Sequence, residues 1–223
     1  MALSKLNPKH ALFAQFAAVA KAFAHPHRLE LLEQLAQGER TVETLAARAG
    51  LSVANASQHL QHMRRVGIVA ARREGKFVFY DLADEAVLAL VAGLRRIAER
   101  NIAEVEQVIR SYFNDRDSLE PVSRDQLLKQ LQAGMVTILD VRPADEFALG
   151  HVPAAVNIPL RELEARLAEL NPAQEIVAYC RGPYCVLSYE AVALLRERGF
   201  KIRRLEDGLP EWRAAGLPTE TGP

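Results

Sequence analysis

Glu175-Ile176-Val177-Ala178-Tyr179-Cys180-Arg181-Gly182-Pro183-Tyr184-Cys185 is an apolar run of strand length that ends in a tight loop, and a helical pattern from Val186 to Arg198 follows at once. A short apolar run bounded by Gly and Pro reads as a buried strand, and a strand that feeds a helix is the repeating unit of an α/β sheet. The loop holds both cysteines of the chain. A thiol at a strand-to-helix turn faces the positive end of the helix dipole and a cluster of backbone N–H groups. Arg181 adds a full positive charge beside it. Both effects favour thiolate over thiol, and the thiolate is the nucleophile. Cys180 is therefore the sharpest reactive candidate, with Arg181 as its electrostatic aid and Cys185 as a second thiol.

Upstream of this loop the expected order is helix 123–133, strand 136–140, helix 144–149, strand 155–157 and helix 160–169. Downstream come strand 201–205 and a short helix near 208–214. Strands alternating with helices predict a mostly parallel sheet covered on both faces over residues 123–220. Residues 114–122 are polar, contain Pro121 and read as a linker.

The first 113 residues have a different pattern. Helical periodicity covers roughly 8–24, 27–37, 41–49 and 52–65, with Pro8 in the first turn and Gly38 closing the second helix. Ile68–Arg73 and Lys76–Leu82 read as two strands of a hairpin around Glu74-Gly75. From Asp84 a single helix of close to thirty residues is expected, and its apolar stripe outlasts what a small domain can cover. Part of that stripe is expected to face another subunit.

The totals are those of a globular chain: 223 residues, 49% hydrophobic and 25% charged. The net charge of zero hides an asymmetry. Residues 1–113 carry 15 Lys/Arg against 11 Asp/Glu (+4), and residues 114–223 carry 13 against 17 (−4). Halves of opposite sign point to different partners. No apolar run reaches membrane-spanning length and no secretory leader is read at Met1–Lys5, so a cytoplasmic, reducing location is expected. Two nearby cysteines in such a compartment are reactive more often than structural.

Ala49-Gly50-Leu51-Ser52 separates a short helix from one that Ser52 can cap. On that second helix Ala56, Leu60 and Met63 form a buried stripe, while Asn55, Ser57, Gln58 and Gln61 fall on the other faces. Small and amide side chains suit the reading of base edges in a major groove. Arg64, Arg65, Arg72, Arg73 and Lys76 follow, against Glu74 alone, as a phosphate-contacting footprint. Leu29 to Leu82, above all Leu51–Val69, resembles the winged helix-turn-helix of ArsR-type repressors, and Ala24–Leu32 is similar to that family's second-helix signature. The resemblance implies a homodimer on double-stranded operator DNA, with the first and last helices packed across the two-fold and a wing in the minor groove.

Four stretches in the second half resemble a single rhodanese domain: Ile138–Pro143, Gly150–Pro159, the Cys180 loop, and Leu205–Trp212. That resemblance implies that Cys180 takes a sulfane sulfur as a persulfide, in a cradle formed by Arg181, Gly182, Pro183, Tyr184 and Cys185. The loop length matches the sulfurtransferase branch rather than related phosphatases. Asp140, Arg142, Glu146 and His151 are read as architecture.

Two departures refine the expectation. Many rhodaneses place a second arginine where this chain has Cys185, and Pro183 removes one N–H donor from the cradle. Without a guanidinium fork for the doubly charged oxyanion, thiosulfate fits less well than a polysulfide, a low-molecular-weight persulfide or a protein persulfide. Cys185 can attack a persulfide on Cys180, or it is a small apolar residue opening the helix. ArsR-type metal sites draw on cysteines of the third helix or carboxylates and histidines of the last. Here no cysteine precedes 180 and residues 84–113 hold no histidine; His59 and His62 are read as a DNA-facing or partly buried pair, and His25 and His27 as capping and solvent-facing. No metal and no cofactor are expected. The function read from the sequence is a sulfur-responsive transcriptional regulator. The alternative is a sulfurtransferase in which the winged helix serves dimerisation or localisation.

Overall fold

The computed structural model describes residues 7–114 and 120–222, which form two compact units, Met1–Gly93 and Leu94–Pro223. Most of the expected linker, 115–119, and the N-terminal stretch Met1–Lys5 lie outside the described residues.

The first unit is mainly α. Its elements are α1 (Pro8–Phe23), α2 (Pro26–Leu35), β1 (Arg40–Thr41), α3 (Val42–Arg48), α4 (Val53–Arg65), β2 (Val69–Glu74) and β3 (Phe77–Leu82), followed by α5 (Ala86–Asn101). The helix starts follow the local chemistry. Asn7, His25, Thr41 and Ser52 each accept a backbone N–H from the first turn of α1, α2, α3 and α4. Between α3 and α4, Gly50 takes φ 62°, a left-handed conformation that only glycine adopts without cost. The helices pack Leu31, Leu32, Leu35, Leu45, Leu60 and Met63 into one core. The sheet has the order β1-β3-β2, all antiparallel, and β2–β3 is the expected wing. Its turn lies one residue later than the sequence reading, at Gly75-Lys76, because Glu74 still pairs with Phe77 and Gly75 supplies the positive φ of 58°. The two-residue β1 escaped the sequence reading, since so short a strand has no period of its own.

The expected thirty-residue helix is broken. After α5 comes α6 (Ala103–Val108), then a π-helical turn Ile109–Asn114. Ile102 takes an extended conformation at the junction (φ −114°, ψ 106°). Asn101 donates from its side-chain amide to the Ile97 carbonyl at 2.7 Å, the local competition by which Asn weakens a helix. The boundary between the two units falls within α5.

The second unit continues with α7 (Arg124–Gln132), β4 (Val136–Asp140), α8 (Ala144–Leu149), β5 (Val156–Asn157), α9 (Leu160–Leu163), β6 (Glu175–Tyr179), α10 (Val186–Glu197), β7 (Ile202–Arg204) and α11 (Leu209–Ala214). The four strands are parallel, in the order β5-β4-β6-β7. The near-continuous apolar runs of β4 and β6 are what a sheet buried on both faces requires. One apolar cluster (Leu139, Ile176, Ala191, Val192, Leu195) and a second (Leu127, Ile138, Val177, Leu209, Trp212) use alternate residues of the same strands. The helix expected over 160–169 is only α9 and a 3₁₀ turn at Leu167–Glu169. No described helix is long and apolar enough to cross a membrane.

Candidate functional site

β6 delivers Cys180 to the end of the central strands, and Cys185 is the N-cap residue of α10. Both cysteines are buried, at 1% and 5% exposure, within the first apolar cluster of the sheet. Their Cα atoms are 6.1 Å apart and their sulfurs are joined as a disulfide, a separation inside the range that such a bond needs. The loop closes through the Cys185 N–H, which donates to the Gly182 carbonyl at 3.1 Å. That amide is therefore spent on the turn. The cradle expected from the sequence keeps fewer free donors than the loop's length implies, since Pro183 offers none.

Arg181 does not stand as a free charge beside the thiol. Its guanidinium donates to both oxygens of Glu146, at 2.8 to 3.2 Å, and the Glu146 side chain is fully buried. The pair neutralises the charge that the sequence reading assigned to thiolate stabilisation. The N-terminus of α10 has no side-chain cap, so its dipole is the positive field that remains at the loop. Asp140 and Arg142 form a second, wholly buried pair, and Arg142 also donates to the Gly150 carbonyl at 2.8 Å. Tyr179 donates no charge here: burial, then the nearby Asp140, pushes its phenol well above the usual tyrosine range. His151 stacks on Phe147 with ring centroids 3.6 Å apart.

The loop middle is held by residues that sequence reasoning missed. The Pro183 carbonyl accepts from the Tyr189 hydroxyl at 3.1 Å and from Arg204 at 3.4 Å, and the Arg204 guanidinium lies 4.3 Å from the Tyr189 ring centre. Tyr184 donates to Glu99 at 2.8 Å. β7 carries two arginines in sequence, Arg203 and Arg204, and only the fold shows that the second is the buried one. Gly208 presses on the loop from α11: a Cβ there would lie 2.4 Å from the Arg181 carbonyl carbon and the Gly182 nitrogen. The Leu209 N–H donates to the Cys180 carbonyl at 3.1 Å.

In the first unit, Asn55, Gln58 and Gln61 are exposed on α4, Ser57 is half-buried, and Ala56, Leu60 and Met63 are buried. Ser52 fixes the start of the helix by accepting from the Asn55 N–H, and Gln61 donates to Ser57 at 3.2 Å. Arg73 and Lys76 are exposed on the wing. Arg72 is also exposed, yet it is ion-paired with both Glu39 and Glu74. Glu39, 33 residues distant, was invisible to a count of local charge. It also holds its own carboxyl below the usual range, chiefly through the Arg72 hydrogen bond. The fold further gathers His25, His27 and His59, with His25 and His59 ring centres 4.4 Å apart. Among the described residues no group of three or more His, Cys, Asp or Glu side chains is arranged to hold a metal ion.

With this geometry in view, residues 123–215 match the rhodanese-like domain family and residues 23–72 a helix-turn-helix domain family. The chain is 44% identical over 214 residues, 96% of its own length and 94% of the relative's, to the HTH-type transcriptional regulator Rv0324 of Mycobacterium tuberculosis. Over 84 residues, 37% of the chain and 77% of the relative, it is 32% identical to a sulfurtransferase of Allochromatium vinosum. It is also similar to a homodimeric winged helix-turn-helix DNA-binding domain, Mb0332 of Mycobacterium bovis. That structure is 41% identical, covers 44% of this chain and 91% of its own, and superposes with a TM-score of 0.41.

Proposed function

Because the chain belongs to the family of ArsR-type winged helix-turn-helix transcriptional regulators that carry a rhodanese domain, we propose that it binds operator DNA as a homodimer and responds to sulfane sulfur carried on Cys180. The observation that carries the sulfur half of this reading is the seating of Cys180 and Cys185 within bonding reach at the N-terminus of α10. The Cys180 thiolate attacks the outer sulfur of a polysulfide or low-molecular-weight persulfide. The donor's S–S bond breaks, its thiolate leaves, and Cys180 keeps the sulfur as a persulfide. The Cys185 thiolate then attacks the Cys180 sulfur, the bond to the outer sulfur breaks, and hydrosulfide leaves with the electron pair. Two thiols are oxidised to a disulfide and one sulfane sulfur is reduced to sulfide.

Support for the DNA half comes from the exposed amides of α4 and the cations Arg73 and Lys76 on the wing. Support for the dimer comes from large apolar side chains left exposed on α1 (Leu12, Phe13, Phe16) and on α5 (Leu90, Leu94, Ile97), more than scattered surface apolar residues account for.

The test is fluorescence anisotropy of the full chain on DNA from upstream of its gene, before and after polysulfide. Wild type is expected to change affinity by about 10-fold, within the usual span of allosteric coupling, and Cys180→Ser not at all. Cys185→Ser is expected to retain the added sulfur by mass spectrometry. Binding that ignores polysulfide in wild type overturns the sensing reading. Likeness to a sulfurtransferase keeps one alternative: rapid turnover with a thiol acceptor, and no affinity for promoter DNA, is the result that would establish it.

A further inference from the structure

We propose that Arg95 and Glu99, one turn apart on α5, read the sulfur state of the cysteine loop, each holding one flank of it. This deepens the function proposed above and rests on it for its biological meaning, though not for its chemistry.

Glu99 holds the flank beside Cys185. It accepts from the hydroxyl of Tyr184, the residue next to Cys185, at 2.8 Å. A hydroxyl donating to a carboxylate is a charge-assisted bond, stronger than a neutral one. Tyr184 is half-buried, and burial followed by the Glu99 bond raises its phenol above the usual range, so it remains a donor.

Arg95 holds the flank beside Cys180 through one intermediary. Its guanidinium donates to one oxygen of Glu211 at 3.2 Å, and the other oxygen of Glu211 accepts from the Gly208 N–H at 3.1 Å. The Gly208 backbone passes against Arg181 and Gly182, so closely that a Cβ there would lie 2.4 Å from the Arg181 carbonyl carbon. Arg95 and Glu99 meet at 3.5 Å. The two flanks of the cysteine loop thus converge on one pair of charges.

The opposite side of the loop is anchored. Tyr189 from α10 and Arg204 from β7 fix the Pro183 carbonyl, and Phe113 packs on both Tyr184 and Tyr189, with ring centres 5.2 and 4.8 Å away. A bridge between the cysteines sets their separation, whereas two thiols, or one thiol and a persulfide, do not. With Pro183 fixed to the sheet, that change in the loop is taken up at Tyr184 and at Gly208, the two points that lead to α5. The helix that carries Arg95 and Glu99 begins at Ala86, in the first unit. Coupling needs such an element whose state both sites bias.

The experiment compares full-length protein with its cysteines bridged and fully reduced. It reads amide hydrogen exchange over residues 94–101 and anisotropy on promoter DNA, for wild type, Arg95→Ala, Glu99→Ala and the double variant. Both side chains are about a third exposed or less, and Ala favours helix, so the fold is retained and a thermal melt verifies it. Wild type is expected to exchange about 5-fold more slowly over 94–101 when bridged. Glu99→Ala is expected to erase that difference while the rate of bridge formation, followed by alkylation and mass spectrometry, is unchanged. The double variant is expected to go no further than Glu99→Ala, the non-additivity of a shared path. A state-dependent exchange that survives in Glu99→Ala overturns the proposal, and so does a wild type whose α5 exchange ignores the cysteines. If exchange follows the cysteines through Glu99 while DNA affinity does not, the link stands and the sensing function falls.

Discussion

The winged-helix unit keeps most of its charges at the surface, with Arg40 as a buried exception, and the rhodanese unit seals several of its charges inside. In the first, Arg72 and Glu74 are exposed and pair, through Arg72, with a half-buried Glu39. In the second, Asp140–Arg142 has no exposed side-chain surface, and Arg181 meets a Glu146 that has none either. Exposed pairs gain little, because water screens them and two long side chains must be held still. Buried pairs impose geometry, because an unpaired charge in the interior is heavily penalised. A module that reads DNA needs cations free to exchange protein partners for phosphates. The parallel-sheet unit instead seats its cysteine loop among charges that are already matched.

The sharpest way to break this contrast is to remove one partner from the buried pair. Asp140→Asn leaves Arg142 uncompensated and is expected to cost about 3–5 kcal/mol in denaturant unfolding of the full chain. A smaller loss would mean that Arg142 finds another partner. Next comes Gly208→Ala, whose Cβ would sit 2.4 Å from backbone atoms of Arg181 and Gly182. Neither atom belongs to a flexible side chain, so about 3 kcal/mol of strain is expected, together with a slower polysulfide reaction at Cys180. Wild-type stability and sulfur uptake in this variant would refute the tight seating of the loop.

On the other unit, Gln58→Ala is expected to leave the melting temperature unchanged and to weaken promoter binding by about 1–3 kcal/mol, the span of one base contact. Equal weakening on unrelated DNA would reduce Gln58 to a backbone contact. Glu39→Gln removes one of the two carboxylates paired with Arg72, Glu74 remaining, and is expected to tighten DNA binding a few-fold with no change in melting, the opposite of what Asp140→Asn does.

The smallest effect concerns pH. His59 is held below its usual range by burial first, then by His25, Arg28, His27 and His62. The folded state therefore binds this proton less readily than the unfolded chain. The resulting stability is present above the ordinary histidine value, about 6.5, and is lost as the pH falls through the lowered folded value. A His59→Gln variant is expected to flatten the melting temperature between about pH 7 and pH 5. A profile that matches wild type would place the acid sensitivity elsewhere.

Much of this molecule was legible in its residues. The stripe Ala56, Leu60, Met63 places a period of one helical turn on α4, and the apolar runs of β4 and β6 have the length and flanks of buried strands. Pattern fails where a partner lies far off in sequence. α5 stops at Asn101 although the apolar stripe continues, since the periodicity of side chains carries no record of a local amide–carbonyl competition. The ends of α9 were overread for the related reason that a 3₁₀ turn shares nearly the same period.

Residue order was enough to read two modules, a helix that presents exposed amides, and two thiols at a strand-to-helix turn. All three depend on residues close together in the chain, where spacing and chemistry coincide. What surrounds them came from folding alone: Arg181 is matched by Glu146, Arg72 by Glu39, and Tyr184 reaches Glu99. Those pairings span 35, 33 and 85 residues. Electrostatic and hydrogen-bond partners are chosen by distance in space, and over such separations only the closed fold sets that distance.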